Sequence, residues 1–404
     1  MMNFPRKTWR DISLHGKTVL LRVDYNIPIS DSEEARNWRI KRSLPTVKML
    51  IKNGAKVVII SHLGRPKGDI DPKLSLDGIA KDLTKMLEVE VGFVSDCIGD
   101  KVKIACKRMT NGDVLLLENL RFHKGEEEND PQFAAQLVKS SGAQVFIQDG
   151  YGVIHRAHAS TDEITNFIPA VAGPLLVDEW VNIKTAVDNP NRPLVAVVGG
   201  AKIVDKTPLI LRLIDKADYV IIGGAIANNF LVHEKFSVGA SLWSPEADLA
   251  VNKILAQAKN KFAQNTKQHL ILPIDLAVSV NGNKNGARKV VSRGGVKANN
   301  IIYDLGSKTI NHISQIVEQA GTVIWNGTLG LTDKPNFAYA SSRLALTLAN
   351  NPQIYSLICG GDTVDFVRNW DSLDGGSFSY LSTGGGAALS QIAGEKLPGI
   401  EALL

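Results

Sequence analysis

Short apolar runs alternate along the chain with longer stretches whose apolar residues recur at helical spacing. The runs predict strands at 18–23, 56–60, 114–117, 145–148, 194–198, 219–222, 270–272 and 322–325. Each run is continuous rather than alternating, the pattern of strands covered on both faces by helices in a parallel sheet. Helical segments are predicted at 42–52, 77–87, 131–140 and 247–261. This repeated strand-then-helix order predicts an α/β chain with open, doubly wound parallel sheets. A helical stretch at 175–187 runs into Asp188-Asn189-Pro190-Asn191-Arg192-Pro193, a cluster that stops a helix before a fresh strand. Two halves joined there by a helix are expected, and no sequence repeat relates them.

Composition sharpens this picture. A chain of 404 residues is too long for one hydrophobic core, so two domains are expected. With 44% hydrophobic and 22% charged residues it reads as an ordinary globular protein. The formal charge of +5 comes without a basic run or an aromatic-rich RNA-binding signature, so cationic pockets for small anions are expected, not nucleic-acid binding. Cys97, Cys106 and Cys359 are odd in number and lack metal-ligand spacing, which argues against a disulfide framework and for a reducing compartment. His155 and His158 have no partner at helical zinc-site spacing. The N-terminus lacks an apolar signal segment, and the most apolar stretch, 220–232, is short and carries Asn228 and Asn229; no membrane span is expected.

In open α/β sheets ligands collect at the carboxyl ends of the strands, so the chemistry is sought in the loops that follow them. The first run leads to Asp24 and Asn26, short polar groups suited to hydroxyls. Next comes Arg39, placed just before the helical segment at 42. The second run leads to His62, Gly64, Arg65 and Lys67, the third to Glu118, Asn119, Arg121 and His123, and the fourth to His155, Arg156 and His158. Any one of these is an ordinary loop residue. Arg39, Arg65, Arg121 and Arg156 converging on one sheet edge suit a small dianionic acid, because guanidinium forks bind carboxylate and phosphate bidentately.

In the second half the strand ends deliver glycine. Gly199-Gly200 precedes Lys202 and Lys206, two lysines four apart that would share a helix face with an anion between them. Gly223-Gly224, Asn326-Gly327, Gly360-Gly361 and Gly384-Gly385 follow, the last two opening helical runs whose free N–H groups would face a phosphate. Asp362 is a hard oxygen ligand placed to hold Mg²⁺ beside those phosphates. Neither a complete P-loop nor G-x-G-x-x-G is present.

Taken in order from about residue 10 to the C-terminus, these segments resemble phosphoglycerate kinase. The matching strings are RVDYNIP, RI with SLPTVK, SHLGRPKG, LLLENLRFHKGEE, HRAHAS, GGAK with DK, WNG, GGDT, STGGGA and GEKLPGIEAL. The resemblance implies a first domain over 1–172 that binds 3-phosphoglycerate or 1,3-bisphosphoglycerate. It also implies an interdomain helix over 173–188 and a second domain over 189–389 for Mg²⁺ with ATP or ADP, with 390–404 packing back on the first. It implies that Asp24, Asn26, Arg39, His62, Arg65, Arg121 and Arg156 bind the acid. Arg39, Lys202, Lys206, Gly361, Gly384 and Gly385 would act on the transferring group. Gly199, Gly200, Lys202, Lys206, Gly223, Gly224, Asn326, Asp333, Gly360, Gly361, Asp362 and Thr363 would hold the nucleotide, with Asp362 on the metal. A cytoplasmic, monomeric glycolytic kinase that transfers in line after hinge closure is the expectation.

The chain departs from the family pattern in several places. Cys359 stands where the first of three glycines is usual, Asp149-Gly150-Tyr151-Gly152 replaces a D-A-F-G run, and Ala225 and Thr328 replace a Gly and a Pro. Asp333 stands for the Glu expected at the ribose. Most departures fall near the nucleoside, which leaves the choice between ATP and GTP open.

Overall fold

A computed structural model describes residues 3–27, 33–280 and 282–404; Pro28, the end of the RVDYNIP string, lies outside them. The chain forms two compact units, Met1–Val181 with Lys396–Leu404, and Asn182–Glu395.

The first unit is built on six parallel strands, β1 (Thr18–Arg22), β2 (Lys56–Ile60), β3 (Val91–Val94), β4 (Val114–Leu117), β5 (Val145–Gln148) and β6 (Ala170–Ala172). Their order is β3-β4-β2-β1-β5-β6, so the four strands predicted from apolar runs are the four adjacent central ones. Leu21, Ile59, Leu116 and Ile147 are fully buried there. The two edge strands lack the signal: β3 holds a glycine and is half exposed, and β6 has three residues. Register aligns Arg22 with Ile60 on one side and Gln148 on the other, so Val23, Ser61 and Asp149 leave the sheet at one level. Helix Glu33–Lys52 begins well before the predicted 42, which puts Arg39 on the helix and not ahead of it. Pro45 explains the difference, since proline fits a first turn best and here lies in the interior. The C-terminal residues return to this unit, where Leu404 O accepts from Lys7 N (2.7 Å) and Gly399 N donates to Ile154 O (2.9 Å).

The second unit contains β7 (Leu194–Val198), β8 (Tyr219–Ile222), β9 (Leu270–Ile271), β10 (Asp275–Val280), β11 (Lys289–Ser292), β12 (Asn300–Leu305), β13 (Thr322–Asn326), β14 (Tyr355–Cys359) and β15 (Tyr380–Leu381). Six form a parallel sheet ordered β15-β14-β13-β7-β8-β9, the dinucleotide-fold order read from the other edge. Strand order reverses between β7 and β13, which places the ligand crevice there. Asn326 pairs with Val198 on one side and Cys359 on the other, so Gly199, Gly327 and Gly360 leave the sheet level with one another.

A three-stranded antiparallel sheet, β11-β10-β12, was not among the predicted elements. Its apolar side packs Leu276, Val278 and Val296 against Leu231 and Val238, whereas β11 is largely exposed. Asp275, which opens β10, caps the neighbouring helix Ser307–Val317. Gly306 at its N-cap has no side chain, and the Asp275 carboxylate accepts from Lys308 N (3.0 Å), Thr309 N (2.8 Å) and Thr309 Oγ1 (2.6 Å). A Cβ on Gly306 would overlap that carboxylate.

Asp275→Ala strands several buried donors at once, so it should cost about 1–3 kcal/mol. Asp275→Asn, which keeps an acceptor, should cost less. Urea unfolding checks this; two midpoints equal to the wild type would mean the cap contributes nothing.

Candidate functional site

In the first unit, the level strand ends gather cations. Arg22, the last residue of β1, is buried; its Nε donates to Ser160 Oγ (2.8 Å), and its Nη2 lies 3.2 Å from His62 Nδ1. Arginine can only donate, which makes His62 Nδ1 an acceptor and places the ring proton on Nε2. Burial first, then Arg22 and Arg121, push the His62 pKa well below the ordinary histidine value, consistent with a neutral ring. Arg121 is also buried, donating to Gly64 O (2.7 Å) and pairing with Glu127 (3.1 Å), while its Nε has no hydrogen-bond partner among the described residues.

Around this core stand the other residues expected from the sequence. Arg39 reaches off its helix to Asp24 (2.7 Å), and Asn26 Oδ1 accepts from Gly64 N (2.9 Å). That bond ties the loop after β1 to the loop after β2. Arg65 and Arg156 are exposed, yet both bear on the charge of Arg121, so they share its neighbourhood.

Sequence reasoning missed Arg22 and Glu126 as site residues. Glu126 is fully buried, accepts from Ser160 N (3.0 Å) and Ser160 Oγ (2.6 Å), and lies 3.7 Å from Arg22 and 4.0 Å from His158. Burial and then the charges of Arg121, Arg22 and Arg156 bring His158 down to about 4, so it is neutral near pH 7. Its Nδ1 has no hydrogen-bond partner among the described residues. Nothing in the sequence marked Glu126 apart from the surface acids beside it; only the fold turns it inward. The pocket thus holds more fixed positive than negative charge, in a medium that screens poorly.

In the second unit the strand ends hold glycines, and the packing explains why. A Cβ on Gly199 would overlap Thr328 O, and one on Gly224 would press on Gly200 and Thr328. Gly327 and Gly360 have φ of 92° and 91°, the left-handed region, and Gly360 lies against the Asn326 amide. Asn326 Nδ2 donates to Cys359 O (3.0 Å), leaving its buried Oδ1 without a partner among the described residues, and Gly327 N donates to Thr363 Oγ1 (2.8 Å). The crest is therefore fixed backbone.

Lys206 is turned onto this crest, donating to Gly199 O (2.8 Å) and Asn326 O (3.4 Å). Burial brings its pKa down to about 8, and Asp362 opposes the shift. The expected lysine pair on one helix face is corrected: the helix starts at Ile203, and Lys202 is its exposed N-cap in extended conformation. Asp362 is exposed in the first turn of helix Gly361–Trp370, whose N-cap is Gly360. Gly384 N donates to Ser382 Oγ (3.1 Å), and Gly385 caps helix Gly386–Ala393 with open space where a Cβ would stand.

Beside the crest lies a cavity of about 290 Å³. Gly200, Gly224, Thr328, Leu329 and Asp362 wall it from the crest side, and Leu276, Ile301 and Tyr303 from the antiparallel sheet. Those last three escaped the sequence reading because their strands did. Gly223 stands just behind the wall, held against Leu329. Asp333 is exposed and is not part of the wall. Asp304 is, and burial raises its pKa to about 7 despite Arg288 at 3.7 Å.

The family model described as phosphoglycerate kinase matches residues 9–395. A phosphoglycerate kinase of Wolbachia sp. subsp. Brugia malayi is 41% identical over 408 residues, covering 100% of this chain and 99% of that one. One from Pelotomaculum thermopropionicum is 39% identical over 399 residues, covering 99% of each. Among solved structures, phosphoglycerate kinase from Coxiella burnetii superposes with a TM-score of 0.83 at 34% identity, covering 98% of both chains.

The Lys206 environment sets a pH dependence. In the free protein Lys206 loses its proton as pH rises through about 8. A bound polyphosphate favours the charged form and raises the pKa, so ADP binding at pH 8 should take up protons and weaken as pH climbs further. Calorimetry in buffers of different ionisation enthalpy measures the uptake. No uptake, or the same uptake in Lys206→Ala, would contradict the assignment.

Proposed function

The chain belongs to the phosphoglycerate kinase family, whose members are phosphotransferases with a carboxyl group as acceptor, and from that premise we propose how its residues divide the work. The reaction is reversible transfer between 1,3-bisphosphoglycerate with ADP and 3-phosphoglycerate with ATP, in glycolysis. The first unit takes the acid and the second the nucleotide. The observation that carries this assignment is the contrast at the strand ends: fixed buried arginines in one unit, close-packed glycines with one half-buried lysine in the other.

Asp24 and Asn26 meet the hydroxyl of the acid; His62, Arg65, Arg121 and Arg156 hold its phosphate. Arg39, already turned toward Asp24, exchanges part of that ion pair for the transferring group. The acid's carboxylate is a competent nucleophile, so the chain need not remove a proton. It must align donor and acceptor and neutralise the equatorial oxygens, which is what dominates phosphoryl transfer. Lys202 and Lys206, with the amides of Gly361, Gly384 and Gly385, supply that charge. Gly199, Gly200, Gly223, Gly224, Gly360, Asn326 and Thr363 shape the phosphate seat, and Asp333 serves the ribose.

Mg²⁺ fits this unit, because Asp362 is an exposed hard oxygen donor whose charge already acts on Lys206. When bound, it neutralises nucleotide phosphate oxygens. Ligands held on separate units react only after they are brought together, so domain closure excludes water before transfer. The apolar cavity receives the nucleobase. A cytoplasmic monomer is the accompanying reading; Cys97, Cys106 and Cys359 are buried and form no disulfide, as suits a reducing compartment. Among the described residues no helix is long and apolar enough to cross a membrane.

A coupled assay with 3-phosphoglycerate and MgATP should give turnover, and Arg39→Ala should lower kcat by about 10²–10³-fold, as loss of one transition-state donor does. Running GTP in parallel reads the base preference of the cavity. Wild-type turnover no greater than that of Arg39→Ala would refute the assignment.

A further inference from the structure

Asp96 and Cys97 follow β3, and His123 follows the short turn after β4, two strands paired at the edge of the first sheet. The pairing brings together three residues that sequence spacing does not. One ligand atom from each lies within 4.8 Å of the others. We propose that Asp96, Cys97 and His123 form a binding site for a thiophilic divalent cation of the zinc class, separate from the nucleotide metal at Asp362.

The donor set is one thiol, one imidazole and one carboxylate, which suits tetrahedral zinc with water in the fourth position. Asp362 offers a single hard oxygen and suits Mg²⁺ instead. Two of the three donors are already oriented. His123 Nε2 lies 2.9 Å from Asp96 Oδ1, and its ring stacks on Phe133 at 5.2 Å between centroids. Asp96 Oδ1 is fixed in turn by Cys97 N (2.7 Å) and Ile98 N (3.3 Å). The His123 and Asp96 side chains are 32% and 40% exposed, so an ion in solution can reach them. Cys97 lies fully buried behind them.

The Asp96 carboxylate beside the thiol attracts a divalent cation, and a coordinated thiol is deprotonated by the ion itself. Binding forms three metal–ligand bonds, to Cys97 Sγ, a His123 ring nitrogen and an Asp96 oxygen; the thiol proton leaves to water, the His123–Asp96 hydrogen bond breaks, and the imidazole proton resides on the ring nitrogen away from the ion. No electrons are transferred.

The test is Co²⁺ titration of the full chain, freed of metal by chelation and without nucleotide, with Zn²⁺ as competitor. The expected result is a thiolate-to-cobalt charge-transfer band that saturates stoichiometrically and is abolished by Zn²⁺. Cys97→Ala should remove the band, Cys106→Ala and Cys359→Ala should keep it, and His123→Gln should weaken binding by at least about tenfold, the loss typical of even an outer-shell partner. His123→Gln alters a partly exposed side chain, and circular dichroism verifies that it is folded. A wild type without the band, a band that survives Cys97→Ala, or affinity unchanged in His123→Gln would each overturn the site.

Discussion

The arrangement in the first unit depends on one buried carboxylate. Glu126 lies beneath Arg22 and His158 and is bonded twice to Ser160, whose hydroxyl also receives Arg22 Nε. Without a counter-charge, a guanidinium as buried as Arg22 would be expelled to water or would distort the sheet end. Removing one partner of such a pair costs about 3–5 kcal/mol, chiefly because the other charge is left stranded. With Glu126 in place, burial and then Arg22 keep His62 in its neutral form, and Arg121 can remain buried at the loop after β4. One anion among several cations leaves a surplus of positive potential, which a dianionic acid can neutralise.

The strand ends of the second unit are built differently. Its constraint is steric: β7, β13 and β14 end in register, and the following residues pack so tightly that a Cβ at Gly199 or Gly224 has no room. Backbone can then approach phosphate oxygens more closely than side chains would allow. Lys206 shares the space, its ammonium held by carbonyls rather than by a carboxylate. A lysine kept this way is inexpensive to transfer to an incoming phosphate, since it gives up neutral acceptors and no ion pair. Charge is held in the first unit by pairing with carboxylates and in the second by carbonyl acceptors around a half-buried ammonium.

Most central strands were legible because burial on two faces leaves an unbroken apolar run, as in Leu194–Val198 or Lys56–Ile60; β14, whose run Ser356 interrupts, was not. Among the edge strands only β9 was predicted: β3 carries a glycine, β6 and β15 are three and two residues long, and β11 is solvated. The antiparallel sheet went unseen for the same reason, and with it Leu276, Ile301 and Tyr303 of the cavity. Arginines such as Arg65 and Arg121 stood out by type and by position near strand ends, and Arg39 by its place beside a predicted helix. Glu126 did not, because its neighbours Glu127 and Glu128 read identically and only the turn after His123 decides which one faces inward. Asp96, Cys97 and His123 met only through the pairing of β3 with β4. Sequence thus displays residues that act where they stand and conceals those that act through a neighbour.

If Glu126 is the counter-charge that holds the acid pocket together, the direct measurement is calorimetric melting of wild type and Glu126→Gln, each with and without 3-phosphoglycerate. The variant should melt at lower temperature alone, and the ligand should raise its melting temperature by more than it raises that of the wild type, because the bound anion replaces the missing charge. A variant that melts with the wild type and responds equally to ligand would contradict this account.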